Sequence, residues 1–393
     1  MKLITKKFVP VFLLSLTTTF CLGQVQTNFI KPIQTDSGYS STEDSSAVSR
    51  NTNFHYNKLF LFIGGTNSSS STDYDALRLH SANLGFDFIN LSYPNDVAAA
   101  SLGDEDDSLA FDKYRQELCF GIPASDAVNV DTLNSIYTRT LKLIQYLDAT
   151  YPSENWGQYL TSPNTIDWSK IIVGGHSQGA GHACYLAKQF LVDRVLMFSG
   201  PNDYSNYFSN SAYWLRDDGE TPANNHFAYL SLNDEIIDFS KQFVNISGLG
   251  MLANDDTTQV DNNSPPFGNS KCLYTTQSPG IALLHHNVPI KFSTINQNVW
   301  TYMLTTEVTT GIGKNTEVGN ITIFPNPTTD YIFLNFGVLQ SKMSYSIYNL
   351  SGQLVKSGIH FEQTKNHMID ISNFELGAYI LVVNGLSKKI IKK

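Results

Sequence analysis

Apolar residues recur at two different spacings along this chain, and the change of spacing divides it. Lys58–Ile63 (KLFLFI) is a nearly continuous apolar run, which predicts a buried strand. Leu77, His80 and Leu84 follow at helical spacing, with Gly85 placed to cap the helix. Phe86–Leu91 predicts a second strand, and residues 92–128 read as irregular. Leu133, Ile136, Tyr137, Thr140, Leu141, Ile144 and Leu147 predict a long helix, with Asp131 as its cap and Pro152 beyond its end. The β-branched run Ile171-Ile172-Val173 then predicts a strand, and Ala183, Leu186, Ala187 and Phe190 a helix after it. Val195–Phe198 and Phe227–Leu232 read as further strands and Ser293–Leu304 as a last helix. Strands alternating with helices imply right-handed crossovers and a parallel sheet over residues 58–304.

The flanks differ. Residues 24–57, rich in Ser, Thr and Asn with few aliphatic residues, read as an extended lead-in. Thr305–Gly319 is polar and Gly/Thr-punctuated, which places a linker at 305–317. From 318 to 393 short alternating runs replace the longer periods: Ile321–Phe324, Tyr331–Phe336, Tyr345–Leu350, Leu354–Lys356, Met368–Ile371 and Tyr379–Val383. Separated by turn signals such as Pro325-Asn326-Pro327 and Ser351-Gly352, they predict a small all-β sandwich. The expected fold class is therefore α/β, a doubly wound and mostly parallel sheet, followed by that sandwich.

Composition narrows the function classes. Hydrophobic content of 41% with 12% aromatic residues is that of a packed core. With 26 Lys and Arg against 35 Asp and Glu the net charge is −9, and no basic cluster precedes the extreme C-terminus, which argues against nucleic acid as a partner. No apolar run of about 18 residues follows the N-terminus, so no membrane span is expected in the mature chain. The N-terminus itself reads as a signal peptide, residues 1–23. Lys2, Lys6 and Lys7 are its positive region, Phe8–Leu16 its apolar stretch, and Cys21-Leu22-Gly23 its small-residue site, with cleavage before Gln24. Lipid modification at Cys21 is disfavoured by Phe20 beside it. Removal of that segment leaves Cys119, Cys184 and Cys272, an odd number in an exported chain. Cys184, among Ala183 and Leu186, suits a buried thiol, and Cys119–Cys272 is the expected pair. The acidic run Asp104–Asp107 lacks EF-hand spacing and reads as a solvated turn. No Cys/His spacing suggests zinc, and no cofactor or metal is expected.

The chemistry concentrates in 171-IIVGGHSQGAGHACYLA-187. Gly175-His176-Ser177-Gln178-Gly179 fits G-x-S-x-G at a predicted strand-to-helix junction, the context in which that pattern forms a nucleophile elbow. Gly174 to Gly181 does not fit the dinucleotide pattern G-x-G-x-x-G. A serine hydroxyl needs an adjacent base to become nucleophilic, and an elbow's partners follow in the chain order Ser, Asp or Glu, His. Asp234 is the first acidic residue beyond Phe227–Leu232, and Asp203, after the preceding strand, competes with it. The histidines downstream of both acids and outside the sandwich are His285 and His286; His286 is the preferred base, with His285 the alternative. His226 falls before Asp234, and His176 and His182 flank the serine too closely to serve as base. The oxyanion donors are expected to be the backbone amides of Gln178, just after the nucleophile, and Thr66 in the Gly64-Gly65-Thr66 loop.

With these residues assembled, positions 58–304 resemble the α/β-hydrolase superfamily through GHSQG at 175–179, the GGT loop at 64–66, and the placement of Asp234 and His286. The resemblance implies esterase- or lipase-like acyl-enzyme chemistry without a cofactor. Two departures stand out: a long insert at Ser247–Thr276, expected as a wall or lid, and no clear strand pair before residue 58. The tail resembles the C-terminal sorting domain of the type IX (Por) secretion system through 323-IFPNPTTDYIFL-334, 345-YSIYNLSGQLV-355, 375-ELGAYILVV-383 and 388-KKIIKK-393. That resemblance implies the type IX machinery as partner, a secreted or cell-surface location, and a tail that is usually removed; a carbohydrate-binding or Ig-like accessory module is the alternative. The expected activity is a serine hydrolase cleaving carboxylic esters in a small-molecule or polymeric substrate. A serine peptidase and a non-catalytic surface-binding protein are its alternatives.

Overall fold

The computed structural model describes residues 25–251, 257–280, 283–308, 322–340, 343–349, 353–360, 364–383 and 386–393. The expected signal peptide at 1–23 and most of the expected linker lie outside them. The chain divides between Thr306 and Glu307 into two compact units, each with its own apolar core.

The first unit is organised on one nine-stranded sheet. Its strands are β1 (Val25–Ile30), β2 (Ser46–Asn51), β3 (Leu59–Ile63), β4 (Asp87–Leu91), β5 (Ile171–His176), β6 (Arg194–Phe198), β7 (His226–Ser231), β8 (Thr257–Gln259) and β9 (Cys272–Thr275). They lie in the order β1-β2-β4-β3-β5-β6-β7-β9-β8. β1 pairs antiparallel with β2 and β2 antiparallel with β4, whereas the remaining pairs are parallel. The expectation of a doubly wound, mostly parallel α/β-hydrolase sheet is corrected by this order: the sheet is mixed, and the other sheets among the described residues are small and antiparallel.

The correction has a compositional cause. β1 and β2 come from the segment read as an extended lead-in, where polar residues conceal the strand pattern. All six residues of β2 are buried, four of them polar or charged. Ser49 Oγ receives Arg78 Nη1 at 2.5 Å, and Arg50 Nη1 reaches the Glu154 carbonyl at 2.8 Å. Burial of polar groups requires such partners, and here they arrive from distant segments.

Both faces of the parallel strands are covered, so β3 reads as an unbroken apolar run with every residue buried. Leu59, Leu61 and Ile63 alternate with Phe60 and Phe62, and the phenylalanines pack edge-on and stacked with Phe88. The helices longer than two turns are α1 (Asp75–Asn83), α2 (Ala110–Phe120), α3 (Ile136–Thr150), α4 (Gln178–Gln189), α5 (Phe239–Gly248) and α6 (Thr294–Thr305). α2 lies in the stretch read as irregular: Phe111, Tyr114 and Leu118 form its buried stripe between charged neighbours. α3 is capped by Ser135, whose side chain accepts the Thr138 amide at 3.2 Å, rather than by Asp131. The insert expected as a wall or lid instead supplies β8 and β9 at the sheet edge; residues 252–256 of it lie outside the described residues.

The glycines around Ser177 answer contacts across the β5–α4 junction. A Cβ on Gly175 would meet the Gly179 carbonyl carbon at 2.2 Å, and one on Gly179 would meet the Ile63 carbonyl oxygen at 2.0 Å. Both obstacles are backbone and neither can swing aside. Gly179→Ala is therefore expected to lower stability by about 1–3 kcal/mol or more, as overpacking does. A urea denaturation midpoint equal to wild type would remove this explanation of the cluster.

In the second unit β10 (Thr322–Phe324), β11 (Tyr331–Gln340) and β14 (Thr364–Asp370) form one antiparallel sheet. β12 (Met343–Asn349), β13 (Leu354–His360), β15 (Gly377–Val383) and β16 (Leu386–Lys392) form a second. Ile332, Leu334, Ile347, Leu381, Val383 and Ile390 share one core between them. β16 is the strand the hydrophobic pattern misses, because its lysines mask the buried Ile390.

Candidate active site

Ser177 occupies the hinge between β5 and α4 with φ 57° and ψ −124°. A non-glycine residue there stores on the order of 1–3 kcal/mol of strain and persists only where the surroundings enforce it. They do so here: the Ser177 amide donates to the Phe198 carbonyl at 2.9 Å, and Gly175 and Gly179 let the flanking backbones close up. The hydroxyl is consequently raised into a cavity of about 460 Å³, whose lining includes Thr66, His176, Ser177, Ile236 and His286.

Asp234 and His286 meet. His286 Nδ1 lies 2.7 Å from Asp234 Oδ2, with both side chains nearly sealed from solvent. The same carboxylate accepts the Ile236 and Ile237 amides at 2.9 and 3.1 Å and Gln242 Nε2 at 3.0 Å. Four donors fix its rotamer, and with the carboxylate as acceptor the imidazole carries its proton on Nδ1 and keeps Nε2 as an acceptor. No hydrogen bond joins Ser177 Oγ to His286; instead Oγ accepts Asn202 Nδ2 at 3.1 Å.

The competing groups differ in what each touches. Asp203 forms a fully buried ion pair with Arg115 and accepts Trp214 Nε1 at 2.9 Å. Burial works against the Arg115 charge, but attraction to Asp203 outweighs it and holds the guanidinium protonated. His285 Nδ1 is taken by Glu235, on the exposed side of the loop. Glu235 also accepts the backbone amides of His285 and His286, which orients the histidine pair.

His176 lines the same cavity with both ring nitrogens engaged elsewhere. Its ring stands 4.7 Å from that of His286, and its Nε2 donates to the His286 carbonyl at 3.1 Å. Nδ1 then accepts the Tyr74 hydroxyl at 3.2 Å, while that hydroxyl accepts the Gly65 amide at 2.9 Å. Burial, then the charge of His286, push its pKa well below the ordinary histidine value, so the ring is neutral. His182 is sealed against Tyr93, Tyr114 and Cys119 inside the core.

The expected oxyanion donors sit on the loop after β3 and at the first residue of α4. The Thr66 and Gln178 amides have no acceptor among the described residues, as an anion-receiving pair requires. Their side chains tie the two segments together: Thr66 Oγ1 donates to Gln178 Oε1 at 2.9 Å, and the Ala99 amide and Tyr114 hydroxyl reach the same oxygen at 3.2 and 3.1 Å. The expected Cys119–Cys272 disulfide does not form. Cys119 is a buried thiol 3.7 Å from His182, and burial pushes its pKa up to about 12. Cys184 is likewise a buried thiol, against Met197.

Residues 322–393 match the family of secretion system C-terminal sorting domains. The resemblance of the tail to that family holds over these residues, and with it the link to the type IX secretion machinery. Among solved structures, a DUF3244 family protein with an immunoglobulin-like β-sandwich fold from Bacteroides vulgatus is similar at 23% identity. That match covers 19% of this chain and 86% of the other, with a TM-score of 0.18. No curated protein matches the chain. The resemblance of residues 58–304 to the α/β-hydrolase superfamily is not shown by these comparisons. Among the described residues no helix is long and apolar enough to cross a membrane.

Proposed function

We propose that this chain is an exported serine hydrolase that cleaves carboxylic esters. The observation carrying the reading is the pair His286–Asp234, bonded at 2.7 Å, whose His286 lines the same cavity as the strained Ser177. In this reading Ser177 Oγ bonds to the substrate carbonyl carbon and its proton passes to His286 Nε2. The carbonyl π pair moves to the oxygen held by the Thr66 and Gln178 amides. Collapse expels the alcohol, which takes the proton from His286. Water then attacks the acyl-enzyme by the same proton route, and the Ser177 oxygen leaves and is reprotonated. Asp234 fixes the imidazole and stabilises its charged form. Ile236, Leu284 and Ile290 form an apolar wall of the cavity, which suits the hydrocarbon part of an acyl group. The sorting tail supports delivery to the cell surface or beyond, with residues 1–23 as the Sec signal.

The test is covalent labelling of the purified full chain by a fluorophosphonate probe, followed by turnover of short acyl esters against peptide amides. Labelling with ester turnover is expected. Cleavage of peptides alone would replace the esterase by a peptidase, and no labelling would leave a non-catalytic surface protein. His285→Ala, which removes only the exposed Glu235 contact, is expected to retain most of the ester turnover. A loss as deep as that of His286→Ala would move the base to His285.

A further inference from the structure

We infer that Asn202 is a further catalytic residue of this site, a side-chain donor that holds the Ser177 oxygen and stabilises it as negative charge develops. The inference rests on the proposed hydrolase chemistry. Its starting point is that Ser177 Oγ accepts Asn202 Nδ2 at 3.1 Å in a residue only 3% exposed. A buried carboxamide normally satisfies both ends, yet Asn202 Oδ1 has no partner among the described residues. The same holds for the buried oxygens of Asn90, Asn225 and Asn245, whose Nδ2 ends make the contact, and for Asn202 that contact is Ser177 Oγ.

The loop carrying Asn202 is clamped on every side. Ser199 Oγ donates to the His286 carbonyl at 2.6 Å, and Asn245 Nδ2 donates to the Pro201 carbonyl at 2.9 Å. The Tyr204 amide donates to the Asn202 carbonyl at 3.0 Å. Asp203 is locked by Arg115, whose Nη1 also donates to the Gln178 carbonyl at 2.7 Å. One buried guanidinium therefore ties the loop after β6 to the first residue of α4, and fixes the carboxamide relative to the hydroxyl. Gly200 keeps the approach open, since a Cβ there would meet the Ser177 carbonyl oxygen at 2.6 Å.

The chemistry follows from the atom contacted. Ser177 oxygen bears partial negative charge twice: as its proton leaves for His286 during attack, and as the acyl carbon–oxygen bond breaks during deacylation. A neutral N–H donor in a dry site favours both moments and consumes no proton. Thr66 and Gln178 serve the substrate oxygen, whereas Asn202 serves the enzyme's own.

The test compares wild type, Asn202→Ala and Asn202→Asp in steady-state ester hydrolysis across pH, with urea denaturation as the control for folding and probe labelling of wild type as the control for the hydrolase reading. Asn202→Ala is expected to lower kcat about 100-fold with little change in KM, the low end of what losing one preorganised donor does. In Asn202→Asp a protonated carboxyl can donate to Oγ and an ionised one cannot. Its activity relative to wild type is therefore expected to rise as pH falls through the carboxyl's titration. A merely structural role predicts a ratio flat in pH. That flat ratio, or Asn202→Ala with wild-type kcat, overturns the inference while labelled wild type leaves the hydrolase reading intact. If Asn202→Ala does not fold, the pH dependence of the Asn202→Asp ratio decides alone. Failure of wild type to label sinks the hydrolase reading itself.

Discussion

Ser177→Ala is expected to reduce ester hydrolysis on the order of 10⁶-fold, His286→Ala by a similar factor, and the double substitution by no more than either. The non-additivity is the informative part. Without the hydroxyl, His286 has no proton to accept; without the imidazole, the hydroxyl has nowhere to send one. Each substitution removes the same step, and what survives comes from the Thr66 and Gln178 amides and from binding in the cavity. Ser177→Ala should also cost about 1–3 kcal/mol of stability, because Asn202 Nδ2 is left buried without its acceptor. Initial-rate kinetics with a chromogenic acetate ester, active-site titration and urea denaturation measure all of this. Probe labelling that persists in Ser177→Ala, or losses that multiply in the double variant, would show that these side chains do not act together.

The legible and illegible parts of this site separate by range. The β5–α4 hinge was readable because its constraint is local: Gly175 and Gly179 are demanded by backbone atoms within a few residues or on the adjacent strand. Chain order then led to Asp234 and His286, which the structure bonds at 2.7 Å. Order could not separate Asp234 from Asp203, since each follows a strand end. What distinguishes them is Arg115 on α2, a helix hidden among charged residues, and no spacing pointed to it. Asn202 escaped for the same reason, because a carboxamide in a Gly-Pro-Asn loop announces nothing until the hydroxyl beside it is located.

The sheet misled in a related way. A buried strand is expected to be apolar, and β2 is not; its Ser49 and Arg50 are buried because Arg78 and Glu154 are waiting for them. With β1 and β2 read as a lead-in, the mixed character of the sheet was lost. The cysteines failed on geometry: parity suggested a pair, but Cys119 faces His182 inside the helical layer. Where polar burial is satisfied by distant partners, composition alone misassigns the element.

That contrast gives the second large effect, a division of labour between two buried aspartates. Asp234→Asn is expected to lower kcat on the order of 10⁴-fold, because an amide at this position offers the imidazole a donor where it needs an acceptor and so stabilises the wrong tautomer. Its stability loss should be modest, since the Ile236 and Ile237 amides keep a neighbouring oxygen to bond. Asp203→Asn is expected to do the reverse. It strands the Arg115 guanidinium, fully buried, with no counter-charge, and losing one partner of such a pair costs about 3–5 kcal/mol. Below its melting temperature this variant should keep far more of its turnover than Asp234→Asn, losing only what a looser hold on the loop of Asn202 costs. Arg115→Met combined with Asp203→Leu should recover part of the lost stability, because apolar residues need no compensating charge. Thermal melts and kcat measured on the same four proteins decide the matter. If Asp203→Asn abolishes turnover while melting like wild type, and Asp234→Asn keeps its activity, the acid that orients the base is Asp203 and the geometry of the His286 contact has been misread.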